Sequence, residues 1–198
     1  MASEPADPKE EPQLEPQLEL AELLALFARA DERALAGSGV GCLERCLPLL
    51  GDGDGGADAA VLRPLWTGLA DGAAHWAERL AETRDALKAA SDDGPRPAGA
   101  VRHMLDTAPA QWAVDPLRTW AEQSARAALA AHGDHEPPGS GAAGPLVAGE
   151  LRRQVRVLEI LVGEADGPGL RQVLHVSTEG RRVLAAAISR RARGAASA

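Results

Sequence analysis

Residues 132–145 read HGDHEPPGSGAAGP, and the reading of this stretch decides how the rest of the chain is divided. A run so rich in Gly and Pro buries its backbone poorly and reads as a linker. It sets a Trp-containing helical body, residues 17–131, apart from a C-terminal hairpin, residues 146–194. An acidic tail, residues 1–16, precedes the body. It carries four prolines and the repeat EPQLEPQLEL, a composition that predicts disorder.

Downstream of the linker, Val147, Leu151, Val155, Leu158 and Val162 form one apolar stripe. After a Gly/Pro turn over residues 163–169, Leu170, Val173, Leu174, Val183, Leu184, Ala187 and Ile188 form a second. Two amphipathic helices joined by a short turn predict an antiparallel hairpin that buries its stripe on the body or on a second copy. Val173 to Val176 has local strand character, and Gly180 is a candidate break in the last helix.

Upstream, Leu20, Leu23, Leu24 and Phe27 keep helical spacing toward Leu35, where Gly37, Ser38 and Gly39 read as a stop. A shorter helix with Val40, Leu43, Cys46 and Leu47 ends in the Gly/Asp loop at residues 51–56. Asp58 is a candidate cap for the segment carrying Leu62, Leu65 and Trp66, which Pro64 interrupts. Helices around Trp76, Leu80 and Leu87 and around Val101, Met104 and Leu105 follow, with a turn at Asp92 and Asp93 between them. Asp115 and Pro116 then start a helix with Leu117, Trp120, Ala121 and Ala128. No long strand pattern appears, so the expected fold is all-α, a bundle of about eight helices.

The 198 residues carry a net charge of -8, with no Asn, no Tyr and two Lys. The Ala, Arg, Gly and Pro bias fits a high-GC bacterial genome, so arginine abundance alone is not evidence for phosphate binding. No apolar run approaches the roughly 20 residues of a membrane span, and the chain opens on acids, so a cytoplasmic location is expected. Cys42 and Cys46 lie four apart on one helical face, poorly placed for a disulfide, and read as reduced core thiols.

Several constellations invite chemistry and fall short of it. Asp71, His75, Glu78 and Glu82 have ligand spacing on a helix, but no second ligand-bearing helix completes a shell, and a solvated face is the simpler reading. Residues 52–58 resemble a calcium loop until the sixth position, Ala57, and the twelfth, Arg63. Gly37 to Gly41 lacks the strand and the Lys of a phosphate loop and reads as a turn. His132 and His135 fall in the linker. No catalytic motif, metal site or cofactor is expected.

Two candidate surfaces are left. Trp66, Trp76, Trp112 and Trp120 anchor a core or line a groove for a ligand or partner. Arg152, Arg153, Arg156, Arg181 and Arg182 form a candidate basic patch, since residues 145–198 carry nine Arg against five acids. The leading expectation is a non-enzymatic helical adaptor or regulatory protein whose hairpin mediates protein-protein contact or homodimer formation. A small-molecule binder or enzyme with a pocket among the Trp helices is the second reading, and a DNA-binding regulator using the Arg-rich helices the third.

Overall fold

In the computed structural model, which describes residues 11–51, 59–90, 99–140, 144–163 and 167–196, the first two helices part at Asp31. Helix α1 spans Glu11–Arg29 and α2 spans Glu32–Cys46, and the Asp31 side chain caps α2 by accepting the Ala34 N–H at 2.8 Å. The break thus lies at an Asp cap, ahead of the glycines that were expected to supply it. Gly37, Ser38 and Gly39 sit inside α2, which is buried from Ala34 to Cys46 on every side.

The reason is close packing. A Cβ on Gly37 would stand 2.8 Å from the Leu161 side chain, and one on Gly39 would overlap the Trp120 ring. Glycine weakens a helix by about 1 kcal/mol relative to alanine. Here the absent Cβ atoms let an indole and a leucine lie against the α2 backbone, which offsets that penalty.

A 3-10 turn over Leu47–Leu50 ends this unit, and another over Ala59–Leu62 leads into α3, Arg63–Asp71, with Pro64 in its first turn. Gly72, at φ 71, reverses the chain, and α4 follows over Trp76–Ala90. Then come α5 (Gly99–Asp106), α6 (Val114–Gly133), α7 (Pro145–Gly163) and α8 (Gly167–Ala196). The fold is all-α, with eight α-helices and no strand among the described residues. Within them no helix is long and apolar enough to cross a membrane.

Helix α2 is the axis. It packs against α6, α7 and α8 and touches α3 and α5, while α1 lies along α7. The α7 stripe is consumed inside the protein, where Leu151, Val155, Val157, Leu158, Ile160 and Leu161 join the same apolar cluster as Leu35, Leu43 and Trp120. Helix α8 runs unbroken through Val173 to Val176 and through Gly180. Its buried seam is Val173, Ser177, Gly180, Leu184 and Ala187, with Leu174 turned outward.

Three expected boundaries shift. Residues 11–16 of the anticipated tail are helical, with Pro12 in the first turn, where its missing N–H is harmless. Residues 1–10 lie outside the described residues, as do the Gly/Asp loop beyond Gly51, the calcium-like stretch, the Asp58 cap, Asp92 and Asp93, and residues 164–166. Of the expected linker, His132 and Gly133 belong to α6 and Pro145 to α7. Glu136 accepts the Val147 N–H at 2.8 Å, tying the connection to the start of α7.

Candidate functional site

Nothing in the sequence reading singled out Arg45, yet it stands at the centre of the molecule with its side chain fully buried. Its Nε lies 2.9 Å from both carboxylate oxygens of Glu150, which is equally buried. The remaining guanidinium nitrogens reach the Ser177 hydroxyl at 3.4 Å and the Cys42 sulfur at 3.3 Å. Gln154, one turn beyond Glu150, donates to Glu150 Oε1 at 2.9 Å and to the Ala125 carbonyl at 3.1 Å. Helices α2, α6, α7 and α8 therefore share one polar centre.

Small residues make room for it. A Cβ on Gly180 would stand 2.5 Å from Arg45 Cδ, and one on Gly41 would stand 3.0 Å from Arg45 Nη1. The positions that look like weak points in the helices are the walls of the arginine's channel.

His132 closes the fourth side. Its Nδ1 donates to the Ala128 carbonyl at 2.8 Å, while Nε2 faces Glu150 Oε2 at 3.6 Å without a hydrogen bond. Burial pulls the imidazole below its ordinary value of 6.5, against the opposing pull of Glu150. Burial is the largest influence on Arg45 and would weaken its hold on its proton, but the charge and hydrogen bond of Glu150 together with the Cys42 and Cys46 sulfurs outweigh it, and the net direction is upward. Burial pushes the Cys42 thiol up to about 12 and the Cys46 thiol well above its usual range. Neither thiol is a nucleophile in this state. Arg45, His132, Glu150, Gln154 and Ser177 are all closed to solvent, so the centre ties four helices together through buried polar contacts.

The four tryptophans divide. Trp76 and Trp120 are buried, and with half-buried Trp112 they form an aromatic cluster with ring centroids 5.4 and 6.1 Å apart. The indole N–H groups of Trp76 and Trp120 are spent on the Pro109 and Met104 carbonyls, at 2.8 and 2.7 Å. Trp66 stands elsewhere, its Nε1 3.4 Å from Glu44 Oε2.

The basic residues differ in exposure and in partners. Arg152 reaches Glu19 at 3.8 Å, Arg156 pairs with Glu159 at 3.3 Å, and Arg181 lies 3.5 Å from buried Glu44. Arg153 turns inward beside Gly180 and Gly149, and burial lowers its proton affinity. Arg152, Arg156 and Arg182 are exposed; Arg156 borders a surface groove of about 460 Å³ between α7 and α8, where Ile160, Arg171 and His175 also lie.

The anticipated ligand row is split as well. Asp71 ends α3 and His75 precedes α4, their side chains 3.9 Å apart, while Glu82 pairs with Arg79 at 3.0 Å. Among the described residues no group of three or more His, Cys, Asp or Glu is arranged to hold a metal.

A surface that the sequence reading passed over lies on α1. Leu23, Leu26, Phe27 and Ala30 face the core, and Gln17, Leu18, Leu20, Ala21, Leu24, Ala25 and Ala28 face solvent. Leu18, Leu24 and Leu20 are 66, 53 and 46% exposed. Of the exposed residues between Gln17 and Arg29 only Glu22 and Arg29 are charged, and helical spacing puts both at one flank. A helix apolar on nearly all sides ordinarily has cover on all sides. No family model, curated protein or solved structure matches the chain, so its function is argued from this geometry alone.

Proposed function

We propose that the protein is a non-enzymatic helical adaptor or regulatory protein that associates with a second copy of itself through α1. The observation that carries this reading is the largely apolar outer face of α1, charged only at one flank by Glu22 and Arg29, on a fold that already buries most of its C-terminal stripes. Leu18, Ala21, Ala25 and Ala28 follow one another at intervals of three, four and three, the spacing of a helix-pairing seam. Set antiparallel against its copy, this seam lays each Leu18 over the other copy's Ala28 and Ala21 over Ala25, large against small. One patch then serves both partners, as a two-fold interface requires.

The energetics point to a weak, concentration-dependent dimer. Covering the exposed part of three leucines contributes roughly 1 kcal/mol each, or about 6 kcal/mol over both copies. Association itself costs about 4–15 kcal/mol.

Sedimentation velocity over a concentration series tests the reading. The wild type is expected to begin shifting from monomer toward dimer only in the millimolar range, because about 6 kcal/mol gained against the lower end of the association cost leaves about 2 kcal/mol. Leu18→Glu/Leu24→Glu is expected to stay monomeric with an unchanged helical signal. A wild type that is monomeric throughout, or a double variant that dimerises equally well, overturns the proposal.

A further inference from the structure

A cavity of about 350 Å³ opens where α3 meets α8, with Glu44 of α2 in its lining. Trp66, Arg63, Ala59, Leu174 and Thr178 line the rest of it. Its volume is within the range of small-molecule sites.

Glu44 is the informative residue. It is 1% exposed, and its Oε1 has no hydrogen-bond partner. The other oxygen receives only the long contact from Trp66 Nε1, and the Arg181 guanidinium neutralises charge from 3.5 Å without closing a hydrogen bond. A buried carboxylate with spare acceptor capacity is costly unless a donor arrives. Burial accordingly raises the Glu44 carboxyl above its ordinary range.

Charge defines the other end of the ligand. Arg181 offsets Glu44, and Arg63, exposed at the rim, leaves the cavity with a net positive charge. Leu174, 40% exposed, and the Trp66 ring supply apolar walls between the two polar ends.

We infer that this cavity binds a small apolar molecule carrying an N–H donor at one end and a carboxylate at the other, the chemistry of an N-acylated apolar amino acid. The N–H meets Glu44 Oε1, the carboxylate meets Arg63, and the apolar body lies against Trp66 and Leu174. The site is independent of the α1 surface.

The test uses full-length protein labelled with 5-fluorotryptophan, the Trp66 fluorine resonance being assigned with Trp66→Phe. Three probes are titrated: N-acetyl-L-leucine, which has both ends; 4-methylpentanoate, which lacks the N–H; and N-acetyl-L-leucinamide, which lacks the carboxylate. N-acetyl-L-leucine is expected to shift the Trp66 resonance saturably below about 10 mM, and each single-ended probe to bind about ten-fold more weakly. Arg63→Ala removes an exposed side chain and is expected to weaken N-acetyl-L-leucine about ten-fold while leaving the leucinamide unchanged. The inference is overturned if N-acetyl-L-leucine gives no saturable shift, if it binds no better than the single-ended probes, or if Arg63→Ala leaves its affinity unaltered.

Discussion

Replacing Glu150 with leucine removes the carboxylate that holds Arg45 at 2.9 Å and leaves a guanidinium enclosed with only Ser177 and Cys42 beside it. Stranding one member of a buried pair costs about 3–5 kcal/mol. Domain stabilities are about 5–15 kcal/mol in total, so Glu150→Leu consumes a third or more of a mid-range value. At this chain length each kcal/mol corresponds to roughly 2–4 °C, which makes the expected loss in melting temperature about 10 °C. Arg45→Met strands the carboxylate in the same way and is expected to lose a similar amount. The double variant Arg45→Met/Glu150→Leu strands neither charge and fills the space with apolar atoms. It is expected within about 1 kcal/mol of wild type, or above it, giving a coupling energy of several kcal/mol between the two positions. Urea unfolding at neutral pH, followed by far-ultraviolet circular dichroism, measures all three. Single variants that each cost less than about 1 kcal/mol, or losses that simply add in the double, would refute the claim that this pair is the energetic centre of the bundle.

Two further outcomes follow from the same packing. Gly39→Ala drives a methyl into the Trp120 ring, and Gly180→Ala drives one into the stem of Arg45, so each is expected to lose about 1–3 kcal/mol by thermal melting, although alanine is the better helix former. Stability is also expected to fall on both sides of neutrality. His132 is held neutral below its usual 6.5, so its contribution is complete above that pH and is lost as pH falls through the lowered folded value. Cys42 is raised from 9.0 to about 12, so its contribution is complete below 9 and is lost over that interval. Glu44, raised by burial, acts in the opposite sense to His132 on acidification. The comparison with His132→Gln in urea titrations therefore isolates the imidazole, and an acid limb unchanged in that variant would contradict the assignment.

Helical character was legible wherever apolar residues recur at helical spacing with polar residues between them, as in α6 and α7. Helix α2 was not. Gly37, Ser38 and Gly39 satisfy every local rule for a stop, and only the arrival of Trp120 and Leu161, far along the chain, turns those glycines into packing surfaces. The polar centre was hidden for a related reason. Glu150 and Gln154 sit inside a stripe that reads as apolar, Ser177 and Gly180 sit at seam positions that do not score as hydrophobic, and His132 begins the Gly/Pro-rich stretch taken for a linker. Arg45 carried one local signal: it stands among Leu43, Cys46, Leu47 and Leu50, where a solvated arginine is out of place. The Trp66 contact with Glu44, 22 residues away, left no trace in spacing.

The sequence separations of 105 from Arg45 to Glu150 and 132 from Arg45 to Ser177 have a bearing on biosynthesis. The ribosome delivers the cation long before its counter-charge. Until α7 and α8 have emerged, Arg45 has no counter-charge and the middle of α2 is covered only in part, by Trp120 of α6, while its glycines favour an unwound chain. Such a topology closes late, because its central contacts join distant parts of the chain.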